Sequence, residues 1–140
     1  MMSTSDSMQL EVVGGHCYGH LPEFPLRFNF TEHFRRRLKE RWGRDVAEVL
    51  VSIREGWVIA SNSRSYYAVE LTRGVLGNHR MLLVLAHPDH HDFNSVALVT
   101  VYPEWDGKVG TRHVETLRRQ GMRLTRRRPV LEVLTERPAA

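Results

Sequence analysis

The chain contains one cysteine and no long apolar run, and each of these shortages excludes a class of protein; it also contains only two lysines. Cys17 alone cannot form an internal disulfide, which agrees with a reducing compartment. The longest uncharged apolar stretch lies near residues 81–86, far short of the roughly 18 residues that span a bilayer. The polar N-terminus lacks the basic flank and apolar core of a secretory signal. We therefore expect a cytoplasmic protein without a membrane segment.

No feature of the sequence separates one domain from another, since internal repeats, low-complexity tracts and flexible linkers are all absent. A length of 140 residues is also typical of a single hydrophobic core. We therefore expect a disordered tail at residues 1–7 and one domain at residues 8–140.

The N-terminal part of the chain predicts two strands and then two helices. Residues 8–13 and 24–30 have the composition of strands, and the turn-rich residues 14–22 predict a long loop between them. The first helix is predicted from its N-cap, its buried face and its C-terminal glycine, which are Thr31, then Phe34, Leu38 and Trp42, then Gly43. The second helix is predicted from a capping-box pattern and a terminal glycine, which are Asp45, Glu48 and Gly56.

The periodicity then changes from helical to extended. Turn-rich segments separate four predicted strands, at 57–60, 66–71, 80–86 and 96–102. Residues 81–86 and 96–101 are apolar on both faces, so we place them at the centre of the sheet. A helix at 111–120, ended by Gly121, and a strand at 130–134 complete the chain. The predicted fold class is α+β, with two N-terminal helices and one later helix packed on a mainly antiparallel, twisted sheet.

A cationic stripe is predicted beside the buried face of the first helix. His33, Arg37 and Arg41 recur every four residues, so they share a face about 100° from the apolar one. An imidazole with two guanidinium groups can bind a phosphate and transfer a proton in ribonuclease-type cleavage. The alternative is a solvated arginine face with a histidine at its boundary.

These residues also carry a resemblance to a known family. A His-x3-Arg-x3-Arg helix, a short second helix that ends in glycine, and strands that close with Ala-Leu-Val-Thr-Val-Tyr resemble the RelE-like superfamily of small ribonuclease toxins, over about residues 28–102. The resemblance implies a RelE-like fold, metal-independent cleavage, and RNA or the ribosome as partner. It would place His33, Arg37 and Thr100 near the active groove, with Arg41 as a further phosphate contact. The chain departs from the family by continuing well beyond Tyr102 and by lacking His, Tyr or Lys in its predicted last strand.

The densest charge lies near the C-terminus. Residues 112–128 hold seven arginines against a single acid, Glu115, although the whole chain carries only +4. A codon preference explains arginine in place of lysine, but it does not explain why acids are excluded from one segment. Such a segment binds nucleic acid or an acidic protein surface, unless it is a solvated face. The predicted partner-binding residues are Arg112, Arg118, Arg119, Arg123, Arg126, Arg127 and Arg128.

The chain as a whole shows a second resemblance. Its size, its arginine bias and its single compact domain resemble the small phage-encoded inhibitors that bind bacterial RNA polymerase, of the Thermus-phage type. This resemblance implies docking on the flap of the host polymerase and on the promoter-reading part of the sigma factor. It implies a change of promoter choice without any chemistry and without a cofactor.

Two segments hold side chains that are able to bind zinc. The candidate ligands are His16, Cys17 and His20 in one segment and His87, His90 and His91 in the other. Neither segment has a paired ligand spacing, and the alternative is a set of polar turn residues. We therefore predict no metal site.

Three functions follow, in this order. The first is a non-enzymatic, phage-encoded transcription inhibitor that binds host RNA polymerase or its sigma factor through residues 112–128. The second is a RelE-like endoribonuclease that uses His33 with Arg37 and Arg41. The third is a DNA-binding regulator, whose affinity would fall steeply with salt. Burial of His33 and Thr100 would exclude the second function.

Overall fold

A computed structural model describes residues 9–62, 65–71, 81–87, 94–102 and 111–136, with the side chains of all of these except 111–114. Its strands are β1 (Gln9–Val13), β2 (His16–His20), β3 (Arg27–Phe30), β4 (Trp57–Ser61), β5 (Tyr66–Leu71), β6 (Met81–Ala86), β7 (Ser95–Val101) and β8 (Arg123–Pro129). Its helices are α1 (Glu32–Trp42), α2 (Val46–Ile53), α3 (Thr111–Arg119) and α4 (Val130–Thr135). The tail predicted at 1–7 lies outside the described residues.

All eight strands belong to one mixed sheet, in the order β1-β2-β3-β7-β6-β5-β4-β8. β3 and β7 are parallel, and every other neighbouring pair is antiparallel. The predicted α+β class is therefore confirmed, and so is the central position of β6 and β7. Every residue of β6 is buried, as expected of a strand that is covered on both faces.

Both faces of the sheet carry a hydrophobic core. On the first, called face A below, α1, α2 and α4 contribute to the larger core, whose fully buried members include Phe28, Phe30, Phe34, Leu38, Leu50, Leu83, Leu85 and Leu98. On the opposite side, called face B, α3 contributes to a smaller cluster that consists of Ala60, Ala68, Leu82, Val84, Leu117 and Met122. The two faces therefore differ in how many helices cover them.

The predicted caps of α1 and the predicted capping box of α2 are confirmed, but α2 ends at Ile53 with Arg54 as its C-cap, so the predicted terminal glycine Gly56 does not cap it. The backbone N–H of Phe34 donates to Oγ1 of Thr31 at 3.2 Å, and Gly43 ends α1 with a φ of 60°. Glycine adopts this left-handed conformation without strain. At α2, the backbone N–H of Asp45 donates to Oε1 of Glu48 at 3.4 Å, as part of a capping box.

The long loop predicted at 14–22 is wrong, because β2 occupies its centre. Gly14 and Gly15 have φ values of 55° and 81°, which suit a two-residue hairpin turn between β1 and β2. Cys17 then packs in the face A core, and successive side chains of β2 point to opposite faces of the sheet, as in any strand. The glycines and histidines that suggested a loop therefore belong to a hairpin.

The strand predicted at 130–134 is also wrong, and the segment forms α4 instead. Val130, Val133 and Leu134 follow helical spacing and are buried on face A. A short apolar run fits either structure when only its periodicity is considered. The last strand is β8, which lies in the arginine-rich segment and pairs with β4. Tertiary pairing overrides a composition that does not favour strands.

We predict that Thr31→Ala lowers the free energy of unfolding by about 1–2 kcal/mol, since it removes both an N-cap and a side-chain hydrogen bond. The Thr31 hydroxyl also donates to the carbonyl of Leu98 at 2.8 Å, which joins α1 to β7. Thr31→Ser keeps the hydroxyl and should remain within about 0.5 kcal/mol of the parent protein. Urea denaturation monitored by circular dichroism measures both variants. Equal losses in the two variants would contradict the prediction.

Candidate functional site

An open groove of about 790 Å³ lies on face B. α1 borders it through His33, and the turn after α3 borders it opposite, while β5, β6 and β7 contribute side chains between them. Its described lining consists of His33, Asn62, Tyr66, Val84, Val99, Thr100, Gln120, Gly121 and Met122. The groove is therefore apolar along the sheet and polar at its borders.

The structure brings two of the predicted ribonuclease residues together in this groove. Nε2 of His33 lies 3.4 Å from Oγ1 of Thr100. His33 is exposed and Thr100 is half-buried, so a ligand can reach both. A hydroxyl at this distance can orient an imidazole for proton transfer. Burial therefore does not exclude the ribonuclease hypothesis.

The two predicted phosphate contacts are not brought into the groove. Arg41 donates through Nη1 to the carbonyl of Val101 at 2.6 Å, and Arg37 forms an ion pair with Glu40 at 3.1 Å. Arg41 follows His33 by eight positions, which corresponds to about 12 Å along a helix. The described lining of the groove accordingly contains no arginine or lysine.

Tyr102 connects the two borders of the groove, and no local pattern in the sequence marks it as a site residue. Its hydroxyl donates to Oε1 of Gln120 at 2.6 Å, and its carbonyl accepts from Nε1 of Trp42 at 2.8 Å. Burial raises the pKa of Tyr102 above its ordinary value, although the Gln120 hydrogen bond and the charge of Arg41 oppose that shift. The phenol therefore stays protonated at neutral pH.

The predicted partner-binding arginines lie on α3 and β8, and the arginine side chains of β8 lie on both faces of the sheet. The guanidinium of Arg127 lies 5.2 Å from the ring centroid of Trp57, and its Nη2 lies 3.1 Å from Oε1 of Glu70. Arg126 and Arg128 instead line a second groove of about 290 Å³ together with Val58, whose side chain belongs to the face A core. The arginines therefore do not form one continuous patch.

Two of these arginines are neutralised by acids. Arg127 pairs with Glu70, whose side chain is only 6% exposed, and Arg128 pairs with Glu132 at 2.9 Å and with Glu136. The hydrogen bond from Arg128 lowers the pKa of Glu136. These pairs join β8 to β5 and to α4, so part of the arginine charge is structural.

The other described arginines of the segment keep their charge. They are exposed and have no acidic partner among the described residues, and we call them the arginine edge: Arg118, Arg119, Arg123 and Arg126. The side chain of Arg112 lies outside the described part of the structure. Among the described residues of the predicted partner-binding set, the four arginines of the arginine edge are the ones whose charge is not neutralised by an acid.

The first candidate metal segment is divided by the alternation of a strand. Cys17 points into the face A core, whereas His16 and His20 occupy the alternate positions of β2 on the opposite side. Nε2 of His20 lies 3.6 Å from Oε2 of Glu11. The thiol and the two imidazoles therefore do not share a site.

The second candidate metal segment is described only in part. His87 is buried directly after β6, whereas His90 and His91 lie outside the described residues. In the ranges that the structure covers, no three histidine, cysteine or acidic side chains are grouped so as to hold a metal ion. Within the same ranges, no helix has both the length and the apolar character to cross a bilayer.

Comparison of the chain with protein-family models, with curated proteins and with solved structures finds no match. The resemblances to RelE-like toxins and to phage-encoded polymerase inhibitors therefore stay predictions.

We predict that Arg127→Ala lowers the free energy of unfolding by about 1–3 kcal/mol, because it leaves a buried carboxylate unpaired. The loss should fall below that of a fully buried pair, since Arg127 is itself half exposed. Arg126→Ala is the matched control, because this neighbour has no acidic partner among the described residues. Thermal and urea denaturation measure both variants. Adding Glu70→Gln to Arg127→Ala should recover part of the loss, and no recovery would contradict the assignment.

Proposed function

We propose that the protein is a non-enzymatic regulator that docks on an acidic surface of another protein. The arginine edge carries this proposal, because four exposed guanidinium groups lack acidic partners among the described residues. Exposed charges of one sign attract a surface of the opposite sign. Carboxylates on a partner protein therefore speed its association with these arginines.

A protein partner agrees with the arrangement better than a nucleic acid does. Arg126 lines the groove on face A, whereas the adjacent Arg127 lies over Trp57 and is occupied by Glu70. Side chains divided in this way do not follow the continuous phosphate backbone of a duplex. The strand β8 itself contains no aromatic residue on which single-stranded bases could stack.

The partner that we propose is the host RNA polymerase or its sigma factor. What supports this partner is the resemblance in size and arginine bias to phage-encoded polymerase inhibitors. A small domain that occupies the polymerase flap and the promoter-reading part of sigma inhibits or redirects transcription by blocking contacts. Such a mechanism needs neither a cofactor nor a catalytic residue.

We predict that immobilised protein retains purified host RNA polymerase holoenzyme and that Arg118→Glu with Arg126→Glu weakens retention at least about tenfold. The matched control is Arg36→Glu with Lys39→Glu, which makes the same charge change at two exposed positions of α1. That control should bind as the parent protein does.

The outcomes of this experiment are distinct. Failure of the parent protein to retain polymerase or sigma would overturn the proposed partner. Equal loss in both double variants would overturn the arginine edge as the docking surface. Duplex DNA that binds instead, with about one unit of log-log salt slope per neutralised phosphate, would favour the DNA-binding hypothesis.

A metal-independent endoribonuclease is the second candidate function, and the contact between His33 and Thr100 in an open groove favours it. In this mechanism the substrate 2′-hydroxyl attacks the adjacent phosphorus, the bond from phosphorus to the 5′-oxygen breaks, and a 2′,3′-cyclic phosphate forms. His33 accepts the proton of the 2′-hydroxyl or donates one to the leaving 5′-oxygen. Thr100 would orient the imidazole. Arg37 and Arg41 would have to leave Glu40 and the Val101 carbonyl to contact the phosphate.

For this candidate, we predict that His33→Ala lowers cleavage of RNA by about 10²–10⁴-fold, the usual contribution of a general acid or base. His16→Ala removes another exposed histidine, on β2 and outside the described lining of the groove, and should leave the rate unchanged. Gel analysis of purified RNA and of messenger RNA on translating ribosomes measures the rates. Intact RNA after incubation with the parent protein would end this candidate.

A further inference from the structure

We propose that β8 receives an extended, acidic segment of the partner protein, which adds to the outer edge of the sheet as a ninth strand. The inference rests on the proposed docking function and gives its mode. It assigns recognition to the backbone of β8 as well as to the arginine side chains.

The position of β8 in the sheet supports strand addition. β8 is the terminal strand, and β4 pairs with it on one side only. No described strand pairs with its other side. Every side chain from Arg123 to Arg127 is exposed. The outer backbone N–H and C=O groups of such an edge form a template for a further strand.

The two edges of the sheet differ in their chemistry, and only β8 selects for acids. β1, at the other edge, exposes the apolar side chains of Leu10, Val12 and Val13 together with Glu11. β8 exposes Arg123 and Arg126 without acidic partners among the described residues. Cross-strand neighbours of opposite charge stabilise a strand pair, whereas like charges destabilise it. Charge complementarity therefore points to a segment that carries glutamate or aspartate.

An irregularity in β8 directs its two unneutralised arginines to one face. Ala60 is opposite Leu124 and Val58 is opposite Arg128, so three residues of β8 stand opposite Ile59 alone. A bulge of this kind re-aims side chains. Arg123 is opposite Ser61, and both Ser61 and Arg126 line the groove on face A. Acidic side chains on one face of an added strand would therefore meet both guanidinium groups.

The end of β8 limits the length of the added strand. Pro129 has no backbone N–H and cannot donate to a neighbouring strand. Residues 123–128 remain available, and because of the bulge they span the same length as residues 58–61 of β4, about 13 Å. A segment of four or five residues matches that length, and a heptapeptide covers it with residues to spare.

The test uses a capped, fluorescently labelled heptapeptide in which glutamate and valine alternate. We expect anisotropy to show binding that weakens with salt and that Arg126→Glu weakens at least about tenfold, whereas Lys39→Glu does not. N-methylation at alternate peptide positions should abolish binding at one set and spare the other, because only every second N–H of a strand faces its neighbour. A heptapeptide of alternating lysine and valine should not bind.

Hydrogen exchange followed by NMR locates the strand. We expect the peptide to slow exchange of the outward-facing amides of β8 and to leave those of β1 unchanged. Protection of β1 instead, absence of peptide binding, or binding that is insensitive to N-methylation would each overturn strand addition. Duplex DNA that protects β8 when the peptide does not would assign the edge to nucleic acid and would also overturn it.

A parallel measurement of polymerase retention separates the two proposals. If polymerase is retained but the peptide fails, the docking function stands and strand addition is wrong. If the peptide protects β8 but polymerase is not retained, the edge recognises acidic segments and the named partner is wrong.

Discussion

The structure depends on the attachment of α1 along β7. β3 pairs with β7 as far as Leu98, and α1 follows β3 directly in the chain. Beyond that point, side chains at both ends of α1 take up carbonyls of β7 and its extension: Thr31 contacts Leu98, Arg41 contacts Val101 and Trp42 contacts Tyr102. The helix can therefore contribute Phe34 and Leu38 to the core on face A while His33 reaches the groove on face B. The attachment of α1 to β7 thus follows from the pairing of β3 with β7, and it also places His33 at one border of the groove.

The three consecutive arginines of β8, at the outer edge of the sheet, have different roles. Arg127 compensates the buried carboxylate of Glu70, and Arg128 joins β8 to the acids of α4. Only Arg126 keeps an unneutralised charge with respect to the described residues. A buried carboxylate without a partner is unfavourable, so the ion pairs inside the protein use part of the arginine charge. Only the remaining charge can attract a partner protein. Charge density in the sequence therefore overstates the charge that is available for binding.

Signals that act over a few residues were readable in the sequence, and those that depend on distant pairing were not. Thr31, Gly43 and the Asp45–Glu48 box act within one helical turn, and the apolar runs of β6 and β7 require burial wherever they lie. The segment of β8 is extended because it pairs with β4, and its own strand propensity does not predict that pairing. The proximity of His33 to Thr100 was expected only from a family resemblance. No sequence pattern predicts that Gln120 and Tyr66 line the groove, because the folded sheet brings these distant residues together.

The two candidate functions make opposite demands on Arg41. As a regulator, the protein needs Arg41 where it is, because its hydrogen bond to Val101 helps to hold α1 on β7. As a ribonuclease, it needs a cation beside His33, and the described lining of the groove contains no arginine or lysine. Moving Arg41 into the groove would weaken the attachment that places His33 beside Thr100. A cation supplied by a bound ribosome or RNA-associated protein would remove that conflict, whereas the regulator requires no rearrangement. The geometry of α1 therefore favours docking over chemistry.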